Sequence, residues 1–231
     1  MTRLKQNMAD VLAHVSRFEF YPGTVIDVGV AEGTFPLYKA FPNAFHLLIE
    51  PLQEFEPALR KILETYKGGY IIAAANSQPG CLAFNVHTDH LPGSSFFNEA
   101  MGPDFDGTQR MVNAIRIDDI PRENGIQGPY LIKIDTQGSE LKVLEGALKT
   151  LEETELIILE VSMFQFMVGA PQFHDVVIYM KNRGFVTYDI FGGTTRPLDV
   201  ALGQIDMVFV KENGLFRKDH CYATPNQWKN R

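Results

Sequence analysis

The sequence predicts an α/β fold built on a mostly parallel β-sheet with an antiparallel C-terminal strand. Short apolar runs recur along the chain and are near-continuous, as in strands that helices cover on both faces. Between several of these runs, apolar residues repeat at spacings of three and four, which predicts amphipathic helices. Strands that alternate with such helices indicate parallel βαβ units.

Five of the apolar runs predict the parallel strands. They lie at residues 24–29, 44–50, 70–75, 130–135 and 156–161. Two apolar stripes predict helices that pack on these strands. The first is formed by Leu52, Phe55, Leu59, Ile62 and Tyr66, and the second by Leu141, Leu144, Leu148 and Leu151. A further helix is predicted at 172–183, because a glycine follows it at a position where helices often end.

The last two predicted strands, 185–191 and 204–210, are joined by a Gly-rich loop with no clear crossover helix. A hairpin is the simpler connection, and it makes the last strand antiparallel to the rest. Strands at 81–87 and 111–117 also depart from the βαβ order. The segment 88–110 between them is polar and rich in Gly and Pro, and loops this long are usually functional or mobile.

We therefore expect one domain over residues 1–231, with 1–22 as an N-terminal helical extension and 88–110 as a candidate lid. The chain has 231 residues, 45% of them apolar, a formal net charge of −7 and a pI near 5.4. An acidic protein lacks the excess of Lys and Arg that replaces phosphate counterions, so we expect no nucleic-acid partner. The same charge disfavours binding to an anionic membrane surface.

The N-terminus lacks the continuous apolar stretch of a signal peptide, and no apolar run approaches the ~20 residues of a membrane span. The two cysteines, Cys81 and Cys221, form no CxxC pair, so a structural zinc site is not expected. Two free thiols are typical of a reducing compartment. These features predict a cytoplasmic protein.

The strongest ligand-binding signal is the segment VIDVGVAEG, residues 25–33. A strand leads into Asp27 and Gly29, and Gly33 opens the next helix, so glycines allow the backbone to turn sharply beside a ligand. The spacing is not the GxGxxG of dinucleotide-binding loops. A carboxylate at Asp27 would repel a pyrophosphate and would suit a ligand that carries an ammonium group.

Two further signals follow at the ends of the next strands. Glu50 ends the second strand, where a carboxylate can accept hydrogen bonds from both ribose hydroxyls. Asn76 and Ser77 end the third strand and could bond an adenine edge. Because the carboxyl ends of parallel strands meet in one crevice, these residues together predict an adenosine-containing ligand.

The runs VIDVGVAEGTF, LIEP, YLIKIDTQGSELKVLEGA and LIILEVS resemble the FkbM-type S-adenosylmethionine-dependent methyltransferases over residues 24–211. The most specific part is KIDTQGSE, residues 133–140, and GSS at 93–95 is similar to a Ser-rich family segment. The resemblance implies a class I methyltransferase (Rossmann-like) fold, which is a three-layer sandwich with a mostly parallel seven-stranded sheet and an antiparallel C-terminal strand. It also implies S-adenosyl-L-methionine as the cofactor and, often, O-methylation of a sugar, glycan or natural product.

The motifs and the resemblance together predict the cofactor-binding residues. They are Asp27, Gly29, Glu32, Gly33, Glu50, Pro51, Asn76, Ser77 and Ser95. Two positions depart from the family pattern, because Ala31 replaces a common Asn and Gln137 stands where an acid is common. We expect a small-molecule or glycan acceptor, and the sequence does not predict an oligomeric state.

The catalytic candidates are Asp135, Glu160 and Lys133. Asp135 is favoured as a general base or metal ligand, with cofactor binding or helix capping as its alternative roles. Glu160 could orient the acceptor, and Lys133 could pair with either acid. The alternative bases are His87, His90 and His174, and a divalent metal held by His87, Asp89 and His90 is left open.

Other classes of function remain open at this point. A nicotinamide-dependent oxidoreductase conflicts with the missing GxGxxG and with Asp27. A nucleic-acid methyltransferase is disfavoured by the acidic charge and by IDTQG in place of an NPPY-like segment. A non-catalytic S-adenosylmethionine-binding module is compatible with the departures at Ala31 and Gln137.

Overall fold

The computed structural model describes residues 4–122 and 125–229, which form ten strands and seven α-helices. The strands are β1 (Thr24–Val28), β2 (Phe45–Glu50), β3 (Gly68–Ile72), β4 (Ala74–Ala75), β5 (Gly80–Val86), β6 (Thr108–Ile115), β7 (Tyr130–Ile134), β8 (Thr154–Ser162), β9 (Phe185–Thr195) and β10 (Leu202–Lys211). The helices are α1 (Met8–Val15), α2 (Phe35–Ala40), α3 (Glu56–Leu63), α4 (Glu140–Glu145), α5 (Leu148–Glu152), α6 (Phe173–Asn182) and α7 (Pro225–Lys229).

Seven strands form the central sheet in the order β3-β2-β1-β7-β8-β10-β9. The pairs among β3, β2, β1, β7 and β8 are parallel, and β10 runs antiparallel to both β8 and β9. The predicted α/β class, the parallel sheet and the antiparallel last strand are therefore confirmed.

Helices cover both faces of this sheet, because its strands are apolar on both sides. On one face, α1, α2 and α3 pack over Val25, Leu48 and Ile158. On the other face, α4, α5 and α6 pack over Ile26 and Ile157. The result is the expected three-layer sandwich. Within the described residues, we find no helix that combines the length and apolar character needed to cross a bilayer.

The predicted strand 70–75 is divided in the structure. Ala73 donates its N–H to the Glu50 carbonyl (3.0 Å), and the chain then bends away from the central sheet. Residues Ala74 and Ala75 pair instead with β6, in a second sheet of order β4-β6-β5. A run of small apolar residues has the same pattern in either sheet, so periodicity could not locate this break.

The predicted helix over the stripe from Leu141 to Leu151 is also divided, into α4 and α5, at Gly146. A Cβ atom at position 146 would lie 2.1 Å from the Asn76 carbonyl oxygen. The glycine allows the helix end to approach the chain after β4, and this contact between distant segments ends α4 early.

The segment 88–107 crosses the carboxyl edge of the central sheet. Its start is anchored by reciprocal backbone hydrogen bonds between Asn85 and Ser95, of 2.8 and 3.0 Å. Its middle is anchored to the chain after β8, because Glu99 and Met167 form an isolated antiparallel β-bridge through their backbones. This edge, where β1, β2, β7 and β8 all end, contains the candidate site.

Candidate active site

A crevice opens at the carboxyl ends of β1, β2 and β7, beneath the segment 88–107. The empty space between its walls, counted out into the open solvent, is about 670 Å³. Apolar side chains form most of its wall, among them Leu52, Phe55, Phe84, Leu91 and Phe96. The polar lining comes mainly from Glu50, Asp135, Gln137 and Ser139. An apolar pocket with a few polar groups is suited to a planar ring that carries polar substituents.

Glu50 ends β2 inside this crevice and is 4% exposed. Its two carboxylate oxygens accept backbone N–H bonds from Ala31 (2.9 Å) and Leu52 (3.0 Å). Burial raises the pKa of the Glu50 carboxyl, and the two N–H donors oppose that rise. A carboxylate accepts about four hydrogen bonds, so each oxygen can accept one more. Glu50 is therefore oriented to accept hydrogen bonds from a vicinal diol.

Gly29 lies where the loop after β1 contacts the loop after β7. Its φ is +73°, and a Cβ at this position would lie 1.8 Å from the Asp135 carbonyl oxygen. Gly29 also lines the crevice, so it remains a predicted cofactor-loop residue, and a side chain at this position would collide with the Asp135 backbone. Gly33 has a similar packing role, since its Cβ would lie 2.8 Å from Ile62 of α3.

Asp27 does not line the crevice, and its side chain is fully buried. The Tyr38 hydroxyl donates a hydrogen bond to Oδ2, and the Lys133 Nζ lies 3.5 Å from Oδ1. This differs from the predicted contact with a ligand ammonium, because a protein ammonium occupies that position.

Lys133 joins the two loops at the base of the site. Its Nζ donates to the Gly29 carbonyl (3.1 Å) and lies 3.6 Å from Asp135 Oδ2. Burial alone would lower the pKa of the Lys133 ammonium, but Asp27 and Asp135 outweigh burial and raise it. Lys133 therefore remains charged and neutralises acids that would otherwise repel one another.

Three carboxylates, those of Asp135, Glu160 and Asp206, follow one another across β7, β8 and β10. Glu160 and Asp206 are direct cross-strand partners. Gln137 Nε2 donates to Asp135 Oδ1 (3.0 Å) and to Glu160 Oε2 (3.1 Å). Burial, reinforced by Asp135 and Asp206, raises the pKa of Glu160 to about 8, and burial with Asp135 raises that of Asp206 to about 6. An acid with a pKa near neutrality is matched to proton transfer.

A narrower cavity, which we call the side chamber, adjoins the crevice, and Gln137 lines both. The free space inside it is about that of one water molecule, so it can admit a hydroxyl group but not a whole sugar. Its lining includes Glu160 and Gln204 on the sheet and Phe164 and Phe166 on the segment after β8. The side chamber therefore combines polar groups with aromatic rings, and it lies next to the carboxylates of Asp135, Glu160 and Asp206.

Four further predicted cofactor-binding residues do not line the crevice. The Asn76 carboxamide oxygen accepts the Ser77 N–H at 2.7 Å, so these two residues close a turn outside the crevice wall. Ser95 is fully buried and donates to the Gln137 carbonyl (2.7 Å), which fastens the segment 88–107 to the loop after β7. Glu32 is exposed and does not line the crevice.

The three alternative histidine bases also lie outside the crevice wall. His87 Nε2 is 3.5 Å from a Glu99 carboxylate oxygen, and His174 is a surface residue beside Asp175. The His90 ring packs under Gly93. Across residues 4–122 and 125–229, no three His, Cys, Asp or Glu side chains are grouped so that they could hold a metal ion. Pro51, by contrast, lines the crevice beside Glu50 as predicted.

Ser139 is a crevice residue that the sequence motifs did not indicate. It is 2% exposed, and its buried Oγ finds no hydrogen-bond partner in the described part of the chain. A buried hydroxyl without a partner is costly, so a ligand that bonds it would gain affinity. The available signal was its position at the start of α4, inside the family-like segment 133–140.

The profile of the methyltransferase FkbM domain matches residues 27–187. The chain belongs to the FkbM methyltransferase family. The crevice residues from β1, β2 and β7 all fall inside the matched region. Membership of this family places the chain among methyltransferases and not among nicotinamide-dependent oxidoreductases.

Solved methyltransferase structures resemble this FkbM-family chain at low sequence identity. The precorrin-6y C5,15-methyltransferase from Geobacter metallireducens is 10% identical, with a TM-score of 0.45, over 91% of this chain and 92% of that one. The magnesium protoporphyrin IX methyltransferase from Synechocystis, solved with bound S-adenosylmethionine, is 12% identical, with a TM-score of 0.48, over 91% and 86%. No curated protein matches the sequence.

Proposed function

We propose that this FkbM-family protein binds S-adenosylmethionine in the crevice and catalyses methyl transfer to a hydroxyl of a sugar, glycan or other natural product. The observation that carries the proposal is Glu50, because its carboxylate is buried at the end of β2 with one acceptor position left on each oxygen. That arrangement suits the two ribose hydroxyls of an adenosine group.

The rest of the crevice fits the same cofactor. Leu52, Phe55 and Phe84 provide apolar contacts for an adenine ring, and the unpartnered Ser139 hydroxyl provides a polar one. The cofactor, when bound, supplies an electrophilic methyl group on a sulfonium. Asp135 lines the crevice on the opposite side from Glu50 along the sheet edge, toward β8 and the side chamber.

An oxygen acceptor must lose its proton as the new bond to carbon forms. Asp135 and Glu160 are the groups placed to take that proton, because Gln137 links their carboxylates between the crevice and the side chamber. Burial beside the neighbouring acids raises the pKa of Glu160 to about 8, so this carboxyl group can exchange a proton near neutral pH. We therefore propose Glu160 as the acceptor's base and Asp135 as its neighbour, whereas the sequence favoured Asp135 as the base.

The acidic chain favours an acceptor that is neither a nucleic acid nor part of a membrane surface, and we propose a small molecule or glycan. A cytoplasmic location is also proposed, and it is compatible with the two free, exposed cysteines, Cys81 and Cys221. A divalent metal is not part of the proposed mechanism.

The test is transfer of a labelled methyl group from S-adenosylmethionine to a panel of sugars, glycans and polyketide alcohols. We expect label to move onto at least one hydroxyl compound, and Glu160→Gln to reduce that transfer roughly 10²–10⁴-fold, as for a lost general base. Asp104→Asn, at an exposed acid outside the crevice wall, is the control. Tight S-adenosylmethionine binding with no transfer to any acceptor would favour the non-catalytic module instead.

A further inference from the structure

Glu160 is held through only one of its two carboxylate oxygens. Oε2 accepts a hydrogen bond from Gln137 Nε2 (3.1 Å) and a second from Gln204 Nε2 (3.0 Å). Within residues 4–122 and 125–229, no hydrogen bond to Oε1 is formed, and Oε1 is not among the fully buried atoms that lack a partner. The two glutamines thus fix the orientation of the carboxylate and leave one oxygen available.

The two glutamines come from different elements that meet at the side chamber. Gln137 belongs to the loop after β7, with a φ of +52°, and Gln204 lies on β10 next to the end of β8. All three side chains line the chamber. An amide in each position supplies N–H donors that a carboxylate or an apolar side chain lacks.

We propose that Gln137 and Gln204 are positioning residues that hold Oε2 of Glu160 and leave Oε1 free to meet an acceptor hydroxyl group that enters the side chamber. This inference rests on the proposed function, because it assigns Glu160 the role of base. It extends that function by naming the two side chains that hold the base in place.

Four charged groups on neighbouring parts of the fold act on the Glu160 carboxyl. Lys133 acts from β7, Asp135 from the loop after β7, Asp206 from β10 and Glu140 from α4. Of these four groups, only Lys133 favours the ionised carboxylate. The two amide N–H groups are therefore important donors to an ionised Glu160. Hydrogen bonds to the charged form lower a pKa, so loss of either amide should raise the pKa of Glu160.

The experiment is an NMR pH titration of protein labelled with ¹³C at the glutamate carboxyl carbons, with Glu160→Gln used to assign the signal. For Gln137→Ala and for Gln204→Ala, we expect the pKa of Glu160 to rise by about one pH unit relative to wild type. Gln204→Glu keeps the side-chain size but removes the donors and adds charge, so the rise should be larger. Gln109→Ala, at an exposed position on β6, is the matched control and should leave the pKa unchanged.

An unchanged or lowered pKa of Glu160 in both alanine variants would overturn the proposal. A loss of packing alone would appear as lower stability with the Glu160 titration unmoved, which also overturns it. Calorimetry with S-adenosylhomocysteine on wild type tests the proposed function separately. If this ligand does not bind, the proposed function fails, while the titration still decides whether the two amides hold Glu160.

Discussion

The stability of the protein should fall as pH rises from 6 to 8, and Glu160 should be a principal cause. Burial beside Asp135 and Asp206 raises its pKa from an ordinary value of 4.5 to about 8 in the folded chain. The folded state therefore keeps a proton that the unfolded state has already released. Stability from this group is complete below pH 4.5 and is lost as pH rises through 8.

The size of the effect follows from proton linkage. Between the two pKa values, one proton of difference changes the free energy of unfolding by about 1.4 kcal/mol per pH unit. From pH 6 to pH 8 the loss is about 2 kcal/mol, because Glu160 is half ionised at the upper limit. Asp206, whose pKa is raised to about 6, contributes mainly below this interval.

The assay is urea unfolding of wild type and Glu160→Gln at half-unit steps between pH 6 and pH 8. The variant cannot ionise, so the wild-type free energy should fall by about 2 kcal/mol relative to it over this interval. The comparison cancels the histidines, which titrate in both proteins. Glu64→Gln, at an exposed acid on the surface, is the control and should stay parallel to wild type. Parallel curves for wild type and Glu160→Gln would refute the reasoning.

Two further substitutions test the packing beneath the site. Gly29→Ala should destabilise the fold by about 3 kcal/mol or more, because its Cβ would lie 1.8 Å from the Asp135 carbonyl oxygen. The control is Gly69→Ala, because the atom nearest to its Cβ would be 3.8 Å away. Equal urea midpoints for the two variants would contradict the contact at Gly29. Lys133→Met should cost about 3–5 kcal/mol by leaving the buried Asp27 unpaired. The double variant with Asp27→Asn should recover part of that loss, and no recovery would show that the pair is not coupled.

The sequence was sufficient for features that depend on local patterns. Continuous apolar runs identified the central strands, and the position of Glu50 at the end of the second strand placed it in the crevice. The hairpin at the C-terminus followed from the absence of a crossover helix between 191 and 204. These features need only the order of elements along the chain, which a sequence displays directly.

Features that depend on contacts between distant segments were not predictable. Asp27 was expected to face a ligand, but its carboxylate forms an ion pair with Lys133. Lys133 lies 106 positions further along the chain, and the parallel register of β1 and β7 brings the two residues together. Ser95 was expected at the cofactor and instead binds the Gln137 carbonyl. Asp206 and Gln204 were not among the predicted site residues, because only the antiparallel pairing of β10 with β8 brings them beside Glu160.

The central claim is that Glu50 holds the ribose of an adenosine cofactor, and calorimetric binding of S-adenosylhomocysteine tests it most directly. Wild type should bind this ligand, and Glu50→Gln should bind it at least tenfold more weakly, because each hydrogen bond to a charged acceptor is worth about 1.5–3 kcal/mol. Glu64→Gln should bind like wild type, and unfolding curves should show that Glu50→Gln is folded at the assay temperature. Unchanged affinity in a folded Glu50→Gln protein, or no binding to wild type, would contradict the account.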